Sequence, residues 1–381
     1  MAGLTREKRT ADDRLPDRVM VGLLAKTFPP TLVDAVVKEA GVGEQRTRVL
    51  PAGLTVYFTL ALWVWARAGY DAVLGRLLDG LAWIRADWGG KTVPTTGAIA
   101  KARARLGWQV MEALFGEVAG PVGDQGTPGA FWRDRRVCSV DGLAVDVPDT
   151  TANDEAFCRP DPRRPPQVRV IALAECATGA VIDAVVEGDR SAAHRRAVQL
   201  ADSVDENTLL LAGRSFAGAE VWSSLTERGL WLVWRTDSAA GPPVEVLDDG
   251  TYLADLWTGP TMAGTPVRVR VVEYTVEGEE GEDPESFTLI TSLTDPDKAP
   301  AIELAQLYAR RWRIRESISV IKDKRAGEPD LRSKSPEVVY QETWALLCVY
   351  QAIRDLVWAA VTGVGLDASR ISLKPWRGGS C

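Results

Sequence analysis

The sequence predicts a mixed α/β protein in which an all-α N-terminal domain precedes a mixed β-sheet that carries a β-rich insertion. Three observations lead to this prediction. Apolar residues recur at helical spacing over residues 15–119. A stretch rich in glycine and proline, residues 120–129, then precedes short β-branched runs, which indicate strands. Residues 236–286 combine turns with clean apolar–polar alternation, which indicates the inserted strands.

The N-terminal domain is predicted over residues 15–119, after a charged and disordered N-terminus at residues 1–14. Its first helix stops at Pro29 and Pro30, because proline cannot continue a helix from its interior. The long apolar stretch over residues 54–78 is expected to break into two helices at Gly69. These elements predict a helical domain, and DNA binding is its expected role.

A short basic helix is predicted at residues 97–107, after threonines that suit a helix N-cap. It carries Lys101, Arg103 and Arg105. Such a helix could lie against DNA. A solvated helix face is the commoner meaning of this charge pattern and is the interpretation favoured here.

The second predicted domain covers residues 130–364, and residues 365–381 are expected to form an irregular tail. Its elements alternate between strands and helices, an order compatible with a ribonuclease-H-like fold but shared by many α/β domains. The predicted strands are residues 136–140, 167–174, 180–186, 208–212, 230–234 and 287–293, and the predicted helices are residues 190–204, 217–228 and 299–325, with further helix up to residue 364.

Composition narrows the chemistry of the chain. It has 381 residues, a net charge of −7, five scattered cysteines and one histidine, so a disulfide framework or a zinc site is not expected. Metal chemistry would have to rest on carboxylates, which favour Mg²⁺ or Mn²⁺. The longest apolar run that we identified stops at Arg67, too short to span a bilayer. We therefore expect a cytoplasmic protein.

Three motifs point to one reaction class. The first is the run from Ser139 to Asp149, in which Asp141 is expected at the end of a strand. The second is Leu-Leu-Ala-Gly-Arg-Ser-Phe at residues 210–216, and the third begins at Tyr308 and ends at Lys322. Together they resemble the insertion-sequence-four family of DDE transposases, whose third motif is Tyr-x-x-Arg-x-x-x-Glu-x6-Lys. The resemblance implies a ribonuclease-H-like fold and metal-dependent cleavage and transfer of DNA strands.

The resemblance also exposes two departures at the catalytic positions. Asp141 matches the first carboxylate of the family and is the expected metal ligand. Gly213 stands where the second carboxylate belongs, and Arg315 stands where the glutamate belongs. Glu316 lies about 100° further round the helix, so it would need a local π-bulge to take over that role. We therefore expect impaired catalysis. The resemblance implies Mg²⁺ or Mn²⁺ as the cofactor of the ancestral reaction, and this chain could bind neither ion.

The same motif supplies the expected contacts to double-stranded DNA at transposon ends. Trp312 could stack on a flipped base or pack in the core, and the two readings are equally favoured. The remaining expected contacts, for which a solvated helix face is the alternative, are Tyr308, Arg310, Arg311, Lys322 and Lys324. A homodimer is a possible assembly. Two other functions stay open: a repurposed non-enzymatic binder of DNA or protein, and recruitment to small-molecule chemistry in the space that Gly213 leaves.

Overall fold

The computed structural model describes most of the chain in ten segments. They are residues 15–43, 48–66, 68–81, 94–188, 193–216, 218–237, 241–257, 266–277, 284–311 and 331–362. The expected disordered N-terminus and irregular tail lie outside these segments. So do Trp312, Arg315, Glu316, Lys322 and Lys324.

The chain forms two compact units, neither continuous in sequence. The helical unit comprises residues 1–118, 147–156 and 323–356, and the sheet unit comprises residues 119–146, 157–322 and 357–381. The compact units thus interleave along the chain, and the linear domain boundaries drawn from the sequence stay a prediction.

The helical unit is built from six N-terminal helices, a short helix and one long helix. Their bounds are α1 Leu15–Thr27, α2 Pro30–Glu39, α3 Ala52–Val64, α4 Tyr70–Leu81, α5 Thr96–Leu106, α6 Gln109–Val118, α7 Thr151–Ala156 and α11 Pro336–Thr362. The prolines at residues 29 and 30 separate α1 from α2, and the predicted break at Gly69 falls between α3 and α4. Helix α3 is buried almost all round, so it forms the centre of this unit.

The predicted basic helix is α5, and the Thr95 hydroxyl caps it by accepting a hydrogen bond from the backbone N–H of Ala98. Arg103 fits neither a DNA-facing nor a solvated helix face, because it is 2% exposed. The Arg103 guanidinium donates to the Gln341 side chain at 2.9 Å and to the Tyr70 hydroxyl at 3.1 Å. Arg103 is therefore a structural residue that ties α5 to α4 and α11.

One helix among the described residues, α11, is long and apolar enough to cross a membrane by length and composition alone. The pair Asp17–Thr27 and Pro30–Glu39 passes the same test only when the two are taken together across a 54° bend. Helix α11 has the contacts of a core helix: the Trp63 indole donates to the carbonyl of Glu342 at 2.7 Å, and Arg354 is buried. Its charged residues interrupt the apolar run, which is why sequence reading did not single it out.

Among the described residues, the sheet unit contains one mixed sheet of ten strands and three α-helices. The strands are β1 Phe131–Trp132, β2 Arg135–Asp146, β3 Gln167–Glu175, β4 Val181–Glu187, β5 Thr208–Ala212, β6 Trp231–Thr236, β7 Glu245–Val246, β8 Tyr252–Leu256, β9 Val267–Val276 and β10 Glu285–Thr291. The α-helices are α8 Ala193–Leu200, α9 Ala219–Glu227 and α10 Ala301–Ala309, and a 3₁₀ turn, Arg214–Phe216, follows β5.

The strand order is β4-β3-β2-β5-β6-β10-β9-β8-β7, with β1 paired to β2. Strands β4, β3 and β2 pair antiparallel, whereas β5 and β6 run parallel to β2. This is the ribonuclease-H-like arrangement, so the predicted fold class is confirmed. The predicted β-rich insertion supplies β7, β8 and β9, which extend the sheet beyond β10 through antiparallel pairs.

Two hydrophobic cores cover the two faces of this sheet. One contains Val140 and Leu210 and is closed by α8 and α9. The other contains Val137, Leu211 and, from α10, Tyr308. Because side chains alternate along a strand, Asp141 lies on the same face as Val137. The fold therefore places Asp141 on the face that α10 covers.

Candidate active site

Asp141 lies within strand β2 rather than at its end, which corrects the prediction. The strand continues to Asp146 because β3 pairs with it antiparallel through Asp146↔Gln167. The predicted strand end coincides with the end of the parallel pairing, since β5 pairs with β2 as far as Val140↔Ala212. Asp141 thus stands one residue beyond the last parallel pair, beside the residue that follows β5.

The residue that follows β5 is Gly213, and the next residues turn away into the 3₁₀ segment. The Phe216 N–H donates to the Gly213 carbonyl at 3.1 Å. Of the nearby residues, Arg214 pairs with Asp237 at 2.8 Å at the surface. Asp202 pairs with Arg228, so it does not supply the missing carboxylate. Asp205 caps a turn, its carboxylate accepting from the Asn207 N–H.

The described part of the third motif comprises Tyr308, Arg310 and Arg311, at the end of α10. The Arg311 N–H donates to the Tyr308 carbonyl in a turn at the end of the helix. This turn sends the Arg311 side chain toward β2, where its Nη1 atom donates to Oδ2 of Asp141 at 2.7 Å. Arg311 is 3% exposed and Asp141 is 6% exposed, so the ion pair is buried.

The guanidinium of Arg311 fills the space next to Gly213. A Cβ atom on residue 213 would lie 3.1 Å from Nη1, 3.4 Å from Cζ and 3.5 Å from Nη2 of Arg311. A carboxylate-bearing side chain at position 213 would start from that same point. The Arg311 guanidinium therefore occupies the space beside Asp141 into which an aspartate side chain at position 213 would extend.

Two neighbouring groups stabilise the charges of this ion pair: the Gly142 N–H and the Tyr308 ring. The second carboxylate oxygen of Asp141 accepts from the N–H of Gly142 at 2.9 Å. The Tyr308 ring lies 5.2 Å from Cζ of Arg311, within the range of a cation–π contact. Burial raises the pKa of the Tyr308 hydroxyl, and the nearby guanidinium opposes that rise, so the phenol stays neutral at physiological pH.

Tyr308 and Arg311 do not face solvent, although sequence reasoning assigned both to DNA contacts. Tyr308 is fully buried, and Arg311 is engaged with Asp141. Arg310 is half-buried and donates to the Gly129 carbonyl at 3.4 Å. Their roles toward DNA stay predictions. Sequence reasoning did not identify Arg311 as the partner of Asp141; the spacing of 308 and 311 on one helix face, toward the strand carrying Asp141, was the available signal.

The residues described here do not fit a divalent metal ion. Among the described part of the chain, no group of three or more histidine, cysteine, aspartate or glutamate side chains is arranged to hold one. Asp141 is the one expected ligand within that part, and its carboxylate already binds a guanidinium. A cation placed beside it would meet a positive charge at close range.

A sheet of this topology, with an aspartate on its central strand and a helix that returns to the same face, has the ribonuclease-H-like fold. Two family models match the chain: an insertion element 4 transposase N-terminal domain over residues 18–116, and a transposase DDE domain over residues 132–352. The chain belongs to the insertion-sequence-four family of DDE transposases, as its motifs implied. DDE transposases as a family use divalent metal ions.

Individual relatives agree with this assignment to different degrees. The chain is 26% identical over 345 residues to the transposase InsG for insertion sequence element IS4 of Escherichia coli (strain K12), covering 87% of this chain and 75% of InsG. A structure of the piggyBac transposase synaptic complex with hairpin DNA aligns with a TM-score of 0.45 at 11% identity, covering 98% of this chain and 80% of that one. At that score the likeness does not by itself establish a shared fold.

Proposed function

We propose that this chain is a transposase-like DNA-binding protein of the cut-and-paste type in which strand cleavage is impaired. The observation that carries the proposal is the buried pair between Arg311 and Asp141, with the guanidinium against Gly213. Membership of the transposase family supports DNA as the partner, since transposases act on DNA ends. A homodimer and a cytoplasmic, nucleoid-associated location belong to the same proposal.

The electrostatic argument for impaired cleavage rests on charge balance. Two-metal phosphoryl transfer needs carboxylates that converge on two cations about 4 Å apart. Here position 213 supplies no carboxylate, and a guanidinium stands in its place. Repulsion between that guanidinium and a divalent ion about 4 Å away is on the order of 8 kcal/mol at an effective dielectric constant of about 20. The attraction of one carboxylate at the same distance is about as large, about 8 kcal/mol, so Asp141 beside Arg311 gives no net attraction for the ion.

The arginine at position 315 adds to this argument from the sequence. The family motif aligns Arg315 with the third carboxylate, and Glu316 with the neighbouring position. In the regular helix that the motif predicts, Glu316 would face a different direction from Tyr308 and Arg311. The Mg²⁺ or Mn²⁺ of the ancestral reaction would then have lost two of its three protein ligands.

DNA binding requires cationic groups that reach solvent. The expected contacts include Arg310 and the basic residues that follow it, whereas Arg311 would have to release Asp141 before it could contact a phosphate. Breaking such a buried pair is costly, about 3–5 kcal/mol when one partner is left unpaired. We therefore assign Arg311 to the structure of the site in the free protein, and DNA contact to other arginines.

The structure lends no support to the small-molecule alternative. That alternative depended on Gly213 opening a pocket beside Asp141, and the Arg311 guanidinium fills this space. A repurposed DNA-binding protein without enzymatic activity remains the alternative, and it shares the DNA-binding half of the proposal.

Two assays on the purified full chain test the proposal. The first measures binding to a labelled DNA duplex across a salt series, where we expect affinity to fall as salt rises. The second measures nicking of supercoiled plasmid with Mg²⁺ or Mn²⁺, where we expect none above that of Asp141→Asn. Salt-independent or absent binding would exclude the DNA-binding half. Clean nicking that Asp141→Asn abolishes would exclude the impairment.

A gain-of-function variant provides the positive control for the second assay. Gly213→Asp combined with Arg315→Glu restores both missing carboxylates, and we expect nicking from the combination but not from either substitution alone. Restored nicking would show that the scaffold still positions DNA. If the combined variant folds and binds DNA yet does not nick, loss of the two carboxylates is not the main cause of the impairment.

A further inference from the structure

A loop rich in arginine and proline lies at the end of the β2–β3 ribbon, outside the candidate active site. It comprises residues 159–166 and is called here the arginine–proline loop. With Arg169 on β3, it contains four arginines and one acidic residue, Asp161, in a chain whose net charge is −7. The local charge therefore opposes that of the whole molecule.

The arginine–proline loop is held in one conformation. Its ends meet at a bridge between Cys158 and Gln167, where the Gln167 N–H donates to the Cys158 carbonyl at 3.0 Å. The Cys158 N–H donates to the carbonyl of Gly188 at 3.1 Å. Inside the loop, the Arg164 N–H donates to the Asp161 carbonyl at 2.9 Å, and four prolines fix further backbone angles. A preorganised loop loses little conformational entropy on binding.

Three of the four arginines of this segment differ from most of the other described arginines of the sheet unit, which form ion pairs. Among the described residues, Arg163, Arg164 and Arg169 have no carboxylate within ion-pair distance, and the side chain of Asp161 instead accepts from the Arg163 N–H at 2.7 Å. By contrast, most arginines elsewhere in the unit form ion pairs: Arg133, Arg136, Arg196, Arg214, Arg228, Arg235, Arg268, Arg270 and Arg311.

A small cavity lies next to the loop. Ala144, Cys158, Gln167 and Arg169 line it, and its volume is about 220 Å³. Pockets for drug-sized ligands usually span about 300–1,000 Å³, so this cavity suits a smaller group such as one phosphate of a polymer. The Gln167 side chain donates a hydrogen bond to Asp146 at 2.7 Å, which fixes its position. Arg169 is the cationic residue among those that line the cavity.

The position of the cavity relates it to the candidate active site. Ala144 is three residues along β2 from Asp141, which corresponds to about 10 Å at the rise of a strand. The two residues lie on opposite faces of the sheet, because side chains alternate. About three base pairs of a duplex, at about 3.4 Å each, have the same length.

We infer that Arg163, Arg164 and Arg169 form a contact surface for the phosphate backbone of duplex DNA. This inference rests on the proposed DNA-binding function and names a surface for it outside the family motif. The contacts carry no sequence information, because they address phosphates rather than base edges. They would fix the position of the duplex relative to the β2–β3 ribbon.

The test compares two variants with the same charge change. The test variant replaces Arg163, Arg164 and Arg169 by alanine. The control variant replaces Arg214, Arg228 and Arg268, whose guanidinium groups already pair with Asp237, Asp202 and Asp255. Binding of each full-length variant to a labelled random-sequence duplex is measured by fluorescence anisotropy across a salt series.

Each phosphate contact contributes about −0.9 to the slope of log K against log salt concentration. We expect the test variant to have a slope shallower than that of the unsubstituted protein by about 2 to 3, and the control variant to keep the slope within about one unit. Circular dichroism checks that each variant is folded. If the triple test variant does not fold, the single substitution Arg163→Ala, at an exposed turn, is used in its place. The expected change in slope is then about 1.

The outcomes separate this inference from the proposed function. If the unsubstituted protein binds with a salt-dependent affinity and both variants keep its slope, the surface is wrong while DNA binding stands. If both variants lose slope equally, a general charge effect replaces the specific surface and the inference is overturned. If the unsubstituted protein does not bind duplex DNA, the inference and the DNA-binding proposal fail together.

Discussion

The Nη1 atom of Arg311 lies 3.1 Å from the point where a Cβ atom on Gly213 would be, and the same nitrogen donates to Asp141 at 2.7 Å. The absence of a side chain at position 213 and the position of the guanidinium are therefore one structural feature. Glycine makes room for the arginine, and the arginine neutralises the aspartate that the fold buries.

The tight approach to Gly213 predicts a cost for any added side chain. In Gly213→Ala the new methyl group would press on the guanidinium, and we expect a loss of about 1 kcal/mol in the free energy of unfolding, at the low end of overpacking effects. Gly142→Ala is the matched control, because its Cβ would meet its nearest neighbour, Arg169, at an ordinary 3.7 Å. Urea denaturation measures both. Equal stability of the two variants would mean that the guanidinium is not held against residue 213.

The buried pair predicts a large and recoverable loss of stability. Arg311→Met leaves the Asp141 carboxylate without its guanidinium, so we expect a loss of about 3–5 kcal/mol. Adding Asp141→Asn removes the buried charge and should recover most of that loss. Arg214→Met is the control at the surface, where the pair with Asp237 has the similar length of 2.8 Å but is more than half exposed, and we expect a loss of at most about 1 kcal/mol.

The network around Arg103 predicts a structural rather than a DNA-binding phenotype. Arg103→Met would leave Gln341 and Tyr70 without their donor, and we expect a loss of roughly 2–4 kcal/mol in the free energy of unfolding. Lys101→Ala, on the exposed side of α5, should change stability by no more than about 0.5 kcal/mol. The salt slope of DNA binding, measured below the unfolding transition, should be the same for Arg103→Met and the unsubstituted protein. A shallower slope for Arg103→Met would indicate that Arg103 contacts DNA, which would contradict this prediction.

Helix α11 contains a carboxyl group whose ionisation opposes folding. Burial raises the pKa of Asp355, while a hydrogen bond from Gln351 at 3.2 Å and the charge of Lys26 oppose the rise. A raised folded-state pKa gives stability that is present below the unfolded pKa of about 3.9 and is lost as pH rises through the folded value. Asp355→Asn should therefore stabilise the protein at pH 7 by less than about 1 kcal/mol, since the side chain is partly exposed. Thermal melts at pH 7 and pH 3 check this: a gain that persists at low pH would contradict it.

The sequence could predict the fold well because its signals are local. Proline and glycine mark the ends of α1 and α3, and β-branched runs mark β3 and β4. The strand containing Asp141 was predicted too short because an Asp-Gly pair usually indicates a turn. Here pairing with β3 overrides that local preference, and nothing within the dipeptide could indicate it.

The residues of the candidate site could be predicted from the sequence, but the contacts between them could not. The motifs located Asp141, Gly213 and the helix that begins near residue 301. Helical spacing placed Arg311 on the face of Tyr308, but which charged group that face would meet depends on the pairing of β2 with β5. Gly213 departs from the family motifs whereas Arg311 matches one, so the sequence does not relate the two residues, and only the fold joins them.

The central claim, that the guanidinium of Arg311 occupies the space beside Asp141 and Gly213 and so disfavours a divalent ion there, is tested most directly by titrating the purified full chain with Mn²⁺ and following free Mn²⁺ by electron paramagnetic resonance. The account predicts identical titrations for the unsubstituted protein and Asp141→Asn in millimolar Mn²⁺. Two Mn²⁺ ions bound by the unsubstituted protein and lost in Asp141→Asn would contradict it.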